Sequence, residues 1–123
     1  MAVIPLRRNK GQWAEDLALT HLDMQGLQLI TRNYRYRRGE IDLIMQHQTI
    51  LVFIEVRYRA SHYCGSSAES IDYTKQQRIL MTASHYLQTH QQAQSFPCRF
   101  DAVLINGSQK SPQIQWIQDA FRG

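Results

Sequence analysis

The sequence predicts a single α/β domain whose elements run α-β-β-β-α-β, with a mixed sheet flanked by helices. A stripe of apolar residues at helical spacing opens the chain. Three β-like segments follow, with gaps too short for a parallel crossover, and a second helical stripe precedes another β segment. At 123 residues the chain is long enough for one core and too short for two, so residues 1–123 are expected to form one domain.

Residues 1–10 read as a basic, flexible leader. From residue 11 to 25, Ala14, Leu17, Ala18, His21 and Leu22 recur on one helical face, and Gly26 is placed to end the helix in a left-handed cap. Residues 27–36 turn β-like through Leu29, Ile30, Thr31, Tyr34 and Tyr36, and Arg38 with Gly39 breaks the run. Two strongly apolar strands follow at 40–46 and 50–58, forming an antiparallel meander with the first. Residues 61–70 read as loop. Asp72 or Thr74 can cap a second helix, whose stripe runs through Ile79, Ala83, Tyr86 and Leu87. The glutamine-rich residues 88–94 read as a frayed helix end or loop. Beyond Pro97 a strand covers 100–105, Asn106 and Gly107 turn the chain, and a weak last strand covers 113–117.

With 43% hydrophobic and 20% charged residues and no Pro- or Gly-rich tract, the composition excludes a disordered or collagen-like chain. The longest apolar run, residues 50–54, is far too short to span a membrane, and the first residues have no secretory core, so a soluble cytoplasmic protein with no membrane partner is expected. Cys64 and Cys98 form neither a metal pair nor a disulfide framework, and the five histidines lack ligand spacing. No G-x-S-x-G elbow or papain-like cysteine suggests a nucleophilic hydrolase. Residues 1–38 carry seven Lys/Arg against three acids, whereas residues 39–78 carry four against five. A basic flank beside an acidic centre suits a polyanion such as nucleic acid.

The acidic centre lies in the hairpin of residues 40–58. A turn centred between Gln48 and Thr49 sets Met45 against Val52, Leu43 against Ile54 and Ile41 against Val56 on one face. The other face then holds Ile44 against Phe53 and Asp42 against Glu55. Two facing carboxylates among aliphatics repel, and desolvation sharpens the repulsion. A shared proton, a nearby cationic side chain or a divalent metal can neutralise them; stiff strands with hard oxygen donors suit Mg²⁺ or Mn²⁺ and argue against zinc. Arg57, two residues after Glu55, falls on the same face. There it can stabilise a phosphoryl transition state or pair with Glu40, which the same register places opposite it. Glu15 borders the buried stripe of the first helix, where it can cap a metal site or pair with an arginine.

Arg32, Arg35, Arg37 and Arg38 interleave with Tyr34 and Tyr36, so a strand would place Arg35 and Arg37 on one face and both tyrosines on the other. Such a cationic strip can follow a phosphate backbone, while the rings pack or stack. Nothing indicates base-specific readout. Asp101, close to Arg99, reads either as support for the acidic site or as half of a structural ion pair, the latter favoured.

The strings GQWAEDLA at 11–18, NYR at 33–35, RGEIDLI at 38–44, VFIEVRYR at 52–59, RFDAV at 99–103 and DAF at 119–121, with Lys75, resemble the YraN-like family of small bacterial proteins. That family is described as similar to Holliday junction resolvases, within the PD-(D/E)xK nuclease superfamily. The resemblance implies a restriction-endonuclease-like fold and a Mg²⁺- or Mn²⁺-dependent endonuclease acting on DNA, structure-selective and, by analogy, dimeric. It also implies that Asp42, Glu55 and the main-chain carbonyl of Val56 hold the metal, with Glu15 as the helix-borne acid. Arg57 departs from the superfamily pattern, which has lysine there; arginine stays charged and can orient or stabilise but not take a proton. Lys75 or Gln76, at the start of the second helix, can substitute, or can form an ordinary solvated helix terminus. Arg59 extends the basic set. The rival function is a noncatalytic nucleic-acid-binding protein on the same scaffold.

Overall fold

The computed structural model describes residues 9–60 and 71–122. Helix α1 spans Lys10–Met24 and is followed by strands β1 (Gln28–Tyr36), β2 (Gly39–His47) and β3 (Ile50–Arg59). Helix α2 spans Tyr73–Thr89, and a short 3₁₀ turn at Gln91–Ser95 leads to β4 (Cys98–Asn106) and β5 (Gln113–Ile117). The element order and the mixed sheet agree with the sequence reading.

Local chemistry sets the helix ends. The Asn9 side chain accepts from the Gln12 amide at 2.8 Å, and the Gln12 side chain accepts from the Asn9 amide, forming a capping box. At the other end, Gly26 adopts φ +96° and donates to the Asp23 carbonyl, while Leu27 N–H donates to the Leu22 carbonyl. These two bonds make a Schellman end, with Leu22 and Leu27 buried in one cluster. The Asp72 side chain accepts from the Lys75 amide and so starts α2.

The strands lie in the order β1-β2-β3-β4-β5, antiparallel except for β3 and β4, which α2 connects as a parallel crossover. Alternating side chains feed two cores. Ala14, Ala18 and Leu22 of α1 cover Leu43, Met45, Val52, Ile54, Val103 and Ile105. Ile79, Ala83 and Tyr86 of α2 cover Ile44, Leu51, Phe53, Ala102 and Leu104 on the opposite face. Each fully buried aliphatic of this kind contributes about 1.5–3 kcal/mol.

The β2–β3 register matches expectation from His47/Ile50 to Leu43/Ile54 and ends there. Ile41 packs in the α2-side core rather than beside Leu43, whereas Val56 packs on the α1 side. The expected Ile41/Val56 pair therefore does not form. Asn33, next to this point on β1, has φ +52°, and such a left-handed residue interrupts the strict alternation of a strand. Residues 88–94 complete α2 and supply most of the 3₁₀ turn, burying Ala93. Among the described residues, no helix is long and apolar enough to cross a membrane. Of the leader expected at residues 1–10, Asn9 and Lys10 instead cap and begin α1, and residues 1–8 lie outside the described residues, as does the loop at 61–70 with Cys64.

Candidate metal and nucleic-acid site

Asp42 and Glu55 lie just beyond the last registered pair of the β2–β3 ladder, where the strands no longer bond directly. Asp42 occupies the gap: its Oδ2 accepts the Val56 amide at 2.8 Å, in place of a ladder bond. Burial, followed by the neighbouring Glu55 charge, pushes the Asp42 carboxyl well above its ordinary range, and Glu15 adds to the push. Glu55 itself is 4% exposed, so its charge has little water to screen it.

Lys75 reaches this pair from the first turn of α2, its Nζ 3.2 Å from Glu55 Oε2. The Asp72 cap fixes where that turn begins, and thereby where the lysine enters. Arg57 Nη1 stands 3.9 Å from the same oxygen, so Arg57 turns toward Glu55. The alternative Arg57–Glu40 pair is not formed: Glu40 is registered with Arg35 on β1 and accepts from it at 3.2 Å. Gln76 does not turn to the acids; its side chain donates to the Ile71 carbonyl and braces the entry to α2.

Glu15 projects from α1 and accepts from Asn33 Nδ2 at 3.0 and 3.1 Å, with Arg32 Nη2 3.5 Å away. Asn33 is thus both the left-handed residue of β1 and the clamp on the helix-borne acid. Sequence reading noted Asn33 only as part of a string, since neither property is visible without the fold.

The expected cationic strip is reorganised. Arg32 is half-buried and bonds Asp16 at 2.8 Å, which ties β1 to α1. Arg35 is held by Glu40. Arg37 has φ +54° and lies in the turn beyond β1, its guanidinium 5.2 Å over the Tyr36 ring, so it does not continue a strand face with Arg35. Tyr34 and Tyr36 both meet His85 of α2, Tyr34 through a 2.8 Å hydrogen bond and Tyr36 by stacking at 3.9 Å. Arg38 and Arg59 are exposed.

A second buried acid, Asp101, is matched in full. Arg99 grips both its oxygens at 2.8 and 3.0 Å, Trp116 Nε1 donates at 2.9 Å, and the Asp119 amide donates at 2.9 Å. It is a structural ion pair.

The donor set at Asp42 and Glu55 fits a hard divalent cation. Two carboxylates with hard oxygen donors meet at one strand end, the ligand chemistry that Mg²⁺ and Mn²⁺ take. Among the described residues no cluster of three His, Cys, Asp or Glu side chains that could hold a metal ion forms. The Val56 carbonyl is the candidate third ligand.

The sequence model of one family, described as "Uncharacterised protein family UPF0102", matches residues 14–105. A UPF0102 protein of Nitrosococcus oceani is 50% identical over 115 residues, covering 94% of this chain and 93% of the relative. One from Nitrosomonas europaea is 50% identical over 113 residues, covering 92% and 93%. One from Shewanella oneidensis is 47% identical over 111 residues, covering 90% and 97%.

Proposed function

The chain belongs to the UPF0102 family, and we propose that this member is a metal-dependent endonuclease hydrolysing DNA phosphodiesters, with a resolvase-like preference for branched or flapped substrates. The observation that carries the reading is the meeting of Asp42, Glu55 and Lys75 at one strand end, with Lys75 Nζ 3.2 Å from Glu55. An acid pair of buried Glu55 and half-buried Asp42, with a lysine delivered from another element, suits phosphoryl chemistry. It also answers the departure at Arg57, because a lysine is present although it comes from α2.

Asp42, Glu55 and the Val56 carbonyl would hold Mg²⁺ or Mn²⁺. Such an ion lowers the pKa of bound water and offsets charge on the scissile phosphate. The chain's own groups do the rest. Lys75 balances Glu55 at rest and can orient a water or a phosphate oxygen through its three donors. Arg57 stays charged and stabilises the negative charge that grows on the phosphoryl oxygens. Glu15, held by Asn33, adds negative potential beside Asp42 and favours the cation.

Cleavage of single-stranded, duplex and four-way-junction DNA with Mg²⁺ or Mn²⁺ tests the proposal. Wild type is expected to cut, and Asp42→Asn and Glu55→Gln to lose at least about a hundredfold in rate. A wild type that binds DNA without cutting it would instead support the noncatalytic reading, which the resting Lys75–Glu55 pair also accommodates.

A further inference from the structure

Gly39 begins β2 hard against α2. A Cβ added there would lie 2.0 Å from Thr82 Oγ1 and 2.6 Å from the Arg78 carbonyl oxygen. Only glycine allows this approach, and its consequence is to bring the turn after β1 onto the exposed flank of α2. Between them lies a cavity of about 340 Å³ lined by Tyr36, Arg37, Arg38, Gly39, Arg78 and Met81. Three of these six residues are arginines, and none is an acid. Among the described residues, no carboxylate pairs with Arg37, Arg38 or Arg78.

The cavity is partly organised in advance. The Arg37 guanidinium lies over the Tyr36 ring, and that ring stacks on His85, so the cation is held without a counter-ion. With Tyr36 engaged in this way, the cavity suits a phosphate better than a stacked base. Guanidinium groups in this setting bind phosphate oxygens bidentately.

Two elements lead from the cavity to the acids. Along β2, Gly39 and Asp42 are three residues, about 10 Å, apart. Along α2, Arg78 follows Lys75 by one turn, and Lys75 contacts Glu55.

Resting on the nuclease reading, we infer that this three-arginine cavity is a subsite for a backbone phosphate of a nucleic-acid strand, one or two nucleotides from the phosphodiester at Asp42 and Glu55. It anchors the strand and fixes which phosphodiester meets the acids. Arg78 is the new member of the binding set, contributed by the face of α2 that turns away from the core.

Fluorescence anisotropy with a labelled single-stranded oligonucleotide tests the subsite. It is run without divalent metal on the Asp42→Asn background, so that no cleavage is needed. Adding Arg38→Gln with Arg78→Gln is expected to lower affinity by about tenfold or more and to reduce the salt slope by about 1. Arg122→Gln is the control, because it removes an arginine that pairs with Asp119 away from the cavity. Unchanged affinity and slope in the folded double variant would overturn the subsite, as would equal losses in the control or no oligonucleotide binding by the parent. Loss of binding here combined with no cleavage by wild type would keep the subsite and reject the nuclease. Intact binding here combined with metal-dependent cleavage would do the reverse.

Discussion

Asp101 and Glu55 are buried acids on neighbouring strands, since Ile54 pairs with Asp101 and Glu55 with Ala102, and half-buried Asp42 lies beside Glu55. Their surroundings differ in kind. Asp101 receives four hydrogen bonds, two of them from one arginine, so its charge is met donor for donor. Asp42 receives one main-chain donor and faces Glu55, whose cations stand at 3.2 and 3.9 Å. Asp101 is satisfied as a structural acid, while Asp42 and Glu55 keep acceptor capacity that the proposed function assigns to a metal ion.

The contrast is broken most severely at Asp101. Asp101→Ala leaves a part-buried arginine and an indole N–H without their partner and is expected to cost about 3 kcal/mol, read from urea unfolding. A cost below about 1 kcal/mol would remove the distinction between the two regions. Gly39→Ala forces β2 away from α2 and is expected to cost about 1–3 kcal/mol, with oligonucleotide affinity falling alongside it.

Lys75→Met is expected to slow cleavage by about ten- to a hundredfold, and Lys75→Arg to recover part of the loss. Full activity in Lys75→Met would separate the lysine from the chemistry. The smallest effect is on stability against pH. Between the ordinary value of 3.8 and the raised folded value of Asp42, the folded chain binds more protons than the unfolded one, so this residue's contribution weakens as pH rises. Asp42→Asn should remove that slope and stabilise the metal-free protein by up to about 1 kcal/mol at neutral pH. A pH series of urea midpoints, in chelator, reads the difference.

Strand register was legible because a one-residue slip would have set acids against aliphatics, and that argument reaches as far as Leu43 and Ile54. It failed at Ile41, which packs on the α2 side while Leu43 packs on the α1 side, a break in alternation that the residue pattern does not show. The acid pair could be read from two strands close in sequence. The sequence raised Lys75 as a substitute, but its contact with Glu55 depends on how α2 docks. The arginine run was read as a strand face, yet its members divide by tertiary contact: Arg32 to Asp16, Arg35 to Glu40, and Arg37 and Arg38 to the cavity. Arg78 went unnoticed because an exposed helical arginine looks like any solvated one. Gly39, read only as a breaker, is what brings Arg78 to the others.

The most direct test of the central claim is calorimetric titration of Mg²⁺ and Mn²⁺ into wild type, Asp42→Asn and Glu55→Gln, with junction cleavage followed on the same preparations. The account predicts metal binding and metal-dependent cleavage by wild type, both lost in each variant while the fold persists. Cleavage retained in both variants, or no binding at millimolar metal by wild type, would contradict it.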